Sequence, residues 1–152
     1  QTESAIVTSA PAGAPDAAGA LLTASQVAAM DLDANLVILS ACNSGGPGGT
    51  TKGESLSGLA LSFFSAGARS MLVTHWSVHD QVAAYLMGTL IQRMQRDQAG
   101  GVTGALREAE LKLLAEAGKD GVPAEIAHPY YWAPFAVIGE GLERAGVKLA
   151  SN

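Results

Sequence analysis

The sequence predicts an α/β fold: a three-layer α/β/α sandwich around a mostly parallel sheet, only part of which this chain carries. Three observations predict it. Leu36-Val37-Ile38-Leu39 and Ser70-Met71-Leu72-Val73-Thr74-His75 are short, largely apolar runs with β-branched members, the pattern of strands covered on both faces. Helical periodicities separate and follow them. The resulting order, strand, helix, strand, helix, helix, strand, calls for crossovers between parallel strands. The strands that stand out are fewer than such a sheet normally holds, so we expect its N-terminal strands to lie outside the chain.

Each element has a local reason. Glu3 to Ser9 reads as a short strand, and the small, Pro/Gly-rich stretch from Ala10 to Ala20 as a flexible loop. Thr23-Ala24-Ser25-Gln26 opens a helix to about Met30, with Thr23 or Ser25 as its cap. The strand at Leu36–Leu39 ends in Ser40-Ala41-Cys42 and runs into Asn43-Ser44-Gly45-Gly46-Pro47-Gly48-Gly49, which continues neither strand nor helix. A helix from about Ser55 places Leu56, Leu59, Ala60 and Phe63 on one face and stops at Gly67. After the strand at Ser70–His75, Ser77 caps a long helix whose stripe is Val82, Tyr85, Leu86, Leu90 and Met94. A further helix from Thr103 to about Ala117 turns Leu106, Ala109, Leu113 and Ala117 inward. Glu108 and Lys112 are spaced on it for an i,i+4 pair, and Gly118 stands at C′. Pro134 opens the last strand, to Ile138, as suits an edge.

Composition narrows the function. The 152 residues suit one domain or a large part of one, and 48% hydrophobic content supports a packed core. Gln1 in place of Met reads as processing or as excision from a longer chain. No apolar run is long enough to span a bilayer, and no leader pattern opens the chain, so we expect a cytoplasmic protein without a membrane partner. A net charge of −5 with nine scattered Lys and Arg argues against nucleic acid. One cysteine precludes an internal disulfide, and His75, His79 and His128 fit no metal-ligand spacing. We expect no metal and no cofactor.

Cys42 carries the chemistry. In a parallel α/β sheet functional groups gather at the carboxyl ends of strands, where both Cys42 and the turn from His75 to Asp80 fall. A free thiol is only a few per cent ionised at neutral pH, so catalysis needs a histidine to take its proton and donors for the oxyanion. The Cys42 backbone amide, beside a glycine loop, suits one donor. A lone cysteine is more often a small buried hydrophobe, but a core residue does not call for Gly45, Gly46, Pro47, Gly48 and Gly49 behind it, whereas close approach of a substrate does. Three rival motifs fail. Lys52 is out of register for a P-loop, Gly48 occupies the arginine position of a tyrosine-phosphatase loop, and Ser40 replaces the first glycine of a nucleophile elbow.

Leu21-Leu22-Thr23-Ala24-Ser25, Leu36 to Asn43, Gly53-Glu54-Ser55-Leu56-Ser57-Gly58-Leu59-Ala60, Gly67-Ala68-Arg69-Ser70, His75-Trp76-Ser77-Val78, His128 to Phe135 and Val137-Ile138-Gly139-Glu140 together resemble the CHAT domain. This is a caspase-like domain of the clan CD peptidases, related to caspases and separase. The resemblance covers nearly the whole chain in order. It implies a thiol peptidase fold in which a His-Gly pair ends one strand and the cysteine the next. In caspases the histidine lies roughly 50 residues before the cysteine, which here falls ahead of Gln1. The general base and a second oxyanion donor are then expected from an upstream segment or a partner chain.

The stretch Thr74 to Asp80 resembles the loop that lines the S1 pocket in this clan and pairs with the substrate backbone, which makes His75, Trp76, Ser77 and Asp80 candidate substrate-binding residues. Asp80 matches an acidic position that receives a basic P1 side chain in the similar separase motif. It equally fits a favourable charge at a helix N-terminus. Trp76 and Trp132 read as packing residues. Two functions follow from the resemblance: a cysteine endopeptidase domain acting on protein or peptide, or an inactive relative serving as a scaffold beside helical TPR repeats.

Overall fold

The computed structural model describes residues 4–8, 21–39, 58–96 and 101–140. They form an α/β fold of five strands and five helices: β1 (Ala5–Val7), β2 (Leu21–Thr23), α1 (Ala24–Ala28), β3 (Val37–Leu39), α2 (Gly58–Ser65), β4 (Ser70–Thr74), α3 (Asp80–Arg96), α4 (Gly101–Glu116), α5 (Pro129–Trp132) and β5 (Phe135–Gly139). A 3-10 helix, Ala124–Ala127, precedes α5.

The central sheet has the order β3-β4-β5, and β4 is buried throughout. Its alternation divides the core. Leu72 packs with Val82, Leu86 and Leu90 of α3 and with Val102, Leu106, Ala109 and Leu113 of α4. Met71 and Val73 pack with Val27 of α1 and with Ala60 and Phe63 of α2. Helices therefore cover both faces, giving three layers. The predicted stripes of α3 and α4 supply one of those faces. Among the described residues no helix is long and apolar enough to cross a membrane.

Several expectations need correction. β3 and β4 are parallel, but β5 runs antiparallel to β4, Thr74 opposing Phe135 and Ser70 opposing Gly139. The reason is parity: two helices, α3 and α4, lie between β4 and β5, so the chain returns to the end of the sheet it left. Nor is β3 covered on both faces as its apolar run suggested, because Ile38 is 37% exposed at the sheet's described edge. Leu21 and Leu22, for which no strand was expected, form β2 with Thr23, antiparallel to β1. Ala10 to Ala20, expected as a flexible loop, lies outside the described residues.

Caps follow the sequence at some ends and shift at others. Thr23 forms a full capping box with Gln26 at the start of α1. α2 closes in a Schellman pair, the Ala68 N–H bonding the Phe63 carbonyl and Gly67 N–H that of Phe64, with Gly67 at φ +101°. Gly118 stands past α4 at φ +78°, as expected of C′. α3 begins at Asp80, and its first turn is closed by the Ala83 N–H on the His79 carbonyl at 2.9 Å, so His79 and not Ser77 is the cap. Glu108 pairs across the helices with Arg93, while the Lys112 ammonium lies 5.8 Å from the centre of the Tyr85 ring. Both contacts tie α4 to α3 in place of the expected pair along α4.

Candidate functional site

Parallel pairing of β3 with β4, Leu39 opposite Val73, puts the carboxyl ends of both strands at one end of the sheet. From Leu39 the chain leads through Ser40 and Ala41 to Cys42. Cys42 and its glycine loop lie outside the described residues. From Thr74 it leads directly into His75, Trp76, Ser77, Val78, His79 and Asp80. Of these only Val78 is half-buried, packed against the α3/α4 core, and the others are exposed.

The turn is shaped from one side. The His75 N–H bonds the Pro134 carbonyl at 3.0 Å, one step beyond the β4/β5 ladder. Trp76 Nε1 donates to the Tyr130 carbonyl at 2.9 Å across 54 residues of sequence. The His79 ring lies 6.4 Å from that of Tyr131, tilted against it. Asp80 follows as the first residue of the 17-residue α3, exposed, where a carboxylate meets the unpaired N–H groups of the helix start.

The supporting segment is locally ordered. His128 caps α5, its Nδ1 accepting from the Tyr130 N–H at 3.2 Å, and Pro129 occupies the first turn, where its missing N–H is no loss. Trp132 Nε1 bonds the Ala127 carbonyl at 3.1 Å, and its ring packs on the α3/α4 core. Trp132 is thus a packing residue, whereas Trp76 is 36% exposed. Tyr130 stands edge-on to Tyr131 with ring centres 5.6 Å apart and is 54% exposed. Residue-by-residue reading left out the two tyrosines and took His128 as an ordinary polar residue. The signal was present, since a polar residue followed by proline marks a helix start.

Tyr85 on α3 has its hydroxyl pushed up to about 12, first by burial and then by Glu116, and its Oη has no hydrogen-bond partner at good geometry among the described residues. Glu110 on α4 is raised by burial alone. Among the described residues no cluster of His, Cys, Asp and Glu is arranged to hold a metal ion.

No curated protein and no solved structure matches the chain. The CHAT domain family matches residues 1–140, a span that takes in the β3–β4 pair, the 75–80 turn and the 128–134 segment. The chain belongs to the CHAT domain family.

Proposed function

We propose that this chain is the C-terminal, cysteine-bearing portion of a CHAT cysteine endopeptidase domain, with Cys42 as nucleophile and the histidine base supplied by a segment upstream of Gln1. The observation that supports it is the parallel β3–β4 pair, which sends the strand leading to Cys42 and the turn carrying Asp80 off the same end of the sheet. No histidine precedes Cys42, hence the upstream base.

The chemistry runs in two halves. The base takes the Cys42 proton, the thiolate attacks the peptide carbonyl, and the Cys42 N–H steadies the oxyanion. Collapse expels the amine, which receives the proton from the base, and leaves an acyl-thioester. Water, deprotonated by the same base, then releases the acid and restores the thiol. Asp80 receives a basic P1 side chain, and the 75–77 backbone pairs with the extended peptide. We further propose a cytoplasmic protein acting beside TPR repeats.

The test is labelling by an arginine peptide carrying an electrophilic warhead, with and without the upstream segment. Labelling and cleavage are expected only with that segment, and Cys42→Ala abolishes both; a missing member of a nucleophile–base unit costs up to about a million-fold in turnover. Full activity of the isolated chain overturns the upstream base. If the upstream segment has no His-Gly pair and Cys42 stays unlabelled, the scaffold reading replaces the enzyme.

A further inference from the structure

Among the described residues, three contacts tie the 75–80 turn to one short segment, beside the packing of Val78 on the α3/α4 core. His75 reaches Pro134 through its N–H, Trp76 reaches Tyr130 through its indole, and His79 meets the Tyr131 ring. That segment is pinned by the His128 cap and by the Trp132 bond to Ala127. The first contact only prolongs the β4/β5 ladder, and the third is a loose ring contact. Among the described residues, the Trp76 bond is the directed contact that holds the turn once it has left the sheet, beside the packing of Val78 on the α3/α4 core. Its direction matters: the ring is 36% exposed, yet its single donor points inward to a backbone carbonyl. A ring this exposed could leave its N–H to water, so the inward bond ties the turn to the segment.

We propose that Trp76 is a positioning residue for the substrate side of the site, its indole N–H anchored on the Tyr130 carbonyl to hold the turn that presents Asp80. This inference rests on the peptidase reading above. Trp76 acts through the turn and does not touch the reacting atoms. A turn placed before the peptide arrives needs no ordering on binding, so loosening it weakens binding more than it slows chemistry.

The experiment uses the protein with its upstream segment and a fluorogenic peptide that has arginine before the scissile bond. Trp76→Phe keeps a ring and removes the donor. We expect KM to rise about twofold to tenfold, the range of a single net hydrogen bond. kcat and the rate of Cys42 alkylation by iodoacetamide stay unchanged, since neither depends on the turn. Benzothienylalanine at position 76 replaces the N–H by sulfur at nearly equal shape, and it gives the same rise if Phe impairs folding. Trp132→Phe is the matched comparison, because it removes an indole donor from the same segment but none from the turn. Its KM rises less than that of Trp76→Phe, because the Tyr130 carbonyl still anchors the turn and the His128 cap still holds the segment. Equal KM rises in both variants, or a change in kcat alone, overturns the positioning role. Cleavage lost in Cys42→Ala with KM unchanged in Trp76→Phe overturns that role while leaving the peptidase standing. Cleavage that is absent, or that survives Cys42→Ala, overturns the peptidase reading and the positioning role with it.

Discussion

The two ends of β4 are built by opposite means. At the amino end backbone meets backbone: the Leu32 N–H bonds the Ala66 carbonyl at 2.8 Å, the Arg69 N–H bonds Ala34 at 2.9 Å, and the Glu140 N–H bonds Arg69 at 3.1 Å. Two positive-φ glycines, Gly67 and Gly139, let the strands and the end of α2 close up there. The Arg69 guanidinium adds bonds to Asp33 and Asn35, but both partners of the ion pair are exposed, so that pair contributes about 1 kcal/mol at most. At the carboxyl end exposed side chains lie on a turn held by an indole bond, a ladder bond, a loose ring contact and the packing of Val78. The Gly67-Ala68-Arg69-Ser70 and Val137-Ile138-Gly139-Glu140 motifs are thus accounted for by chain geometry. Packing accounts for much less of His75-Trp76-Ser77, and residues that packing does not require are the ones to suspect of function.

The largest effect expected from breaking this contrast is at Gly139. A Cβ there would lie 2.4 Å from the Arg69 carbonyl oxygen, on a residue at φ +101°. Gly139→Ala is therefore expected to destabilise by roughly 3 kcal/mol or more, read by denaturant melts. A loss below about 1 kcal/mol would show the amino end to be far more pliable than described.

Asp80→Asn probes the other end. Cleavage of an arginine peptide should fall on the order of tenfold, as expected when a charged partner is lost. The thermal midpoint should drop by no more than about 4 °C, because an exposed helix-end charge contributes little. A drop in midpoint with unchanged kcat/KM would leave Asp80 as a helix-end charge only.

Ser70 tests whether every motif residue at the amino end is needed for stability. It is fully buried and its Oγ has no partner among the described residues, so Ser70→Ala should be neutral or stabilise by up to about 1 kcal/mol in the same melts. A clear destabilisation would reveal a bond the structure does not show.

The smallest effect is expected on α3, at Tyr85. The Tyr85 hydroxyl is raised in the folded state to about 12 from 10.0, so both states hold the proton below about pH 10 and the stability is intact there. Between about pH 10 and 12 the unfolded state gives up its proton first, and stability falls as pH rises. Tyr85→Phe should flatten that alkaline decline relative to the parent, and an identical decline in both would exclude Tyr85 as its source.

Much of this was legible in local pattern. Thr23 or Ser25 read as the cap of α1, Gly67 and Gly118 as helix stops, and the α3 and α4 stripes as core. Ile38 misled because apolar composition reports a tendency to be covered, not whether a neighbour arrives to cover it. Ser77 misled because a cap is chosen by where the chain turns after Thr74, which the Pro134 and Tyr130 carbonyls help to set. Of the candidate site, strand-end position and glycine content marked Cys42 and the 75–80 turn, but neither pattern indicated that His128 to Pro134 would be the support.

By itself the sequence determined β4, the buried stripes of α3 and α4, and the helix ends at Thr23, Gly67 and Gly118, since those depend on spacing and on local hydrogen bonding. It also held the motifs that join this chain to the CHAT family. Only the tertiary structure decided that β5 runs back along β4, that Glu108 pairs with Arg93 and not Lys112, and that Trp76 rests on Tyr130. Each of these joins residues distant in the chain. Which distant groups meet is settled by how the α3–α4 pair returns the chain across the sheet, a choice that no local propensity records.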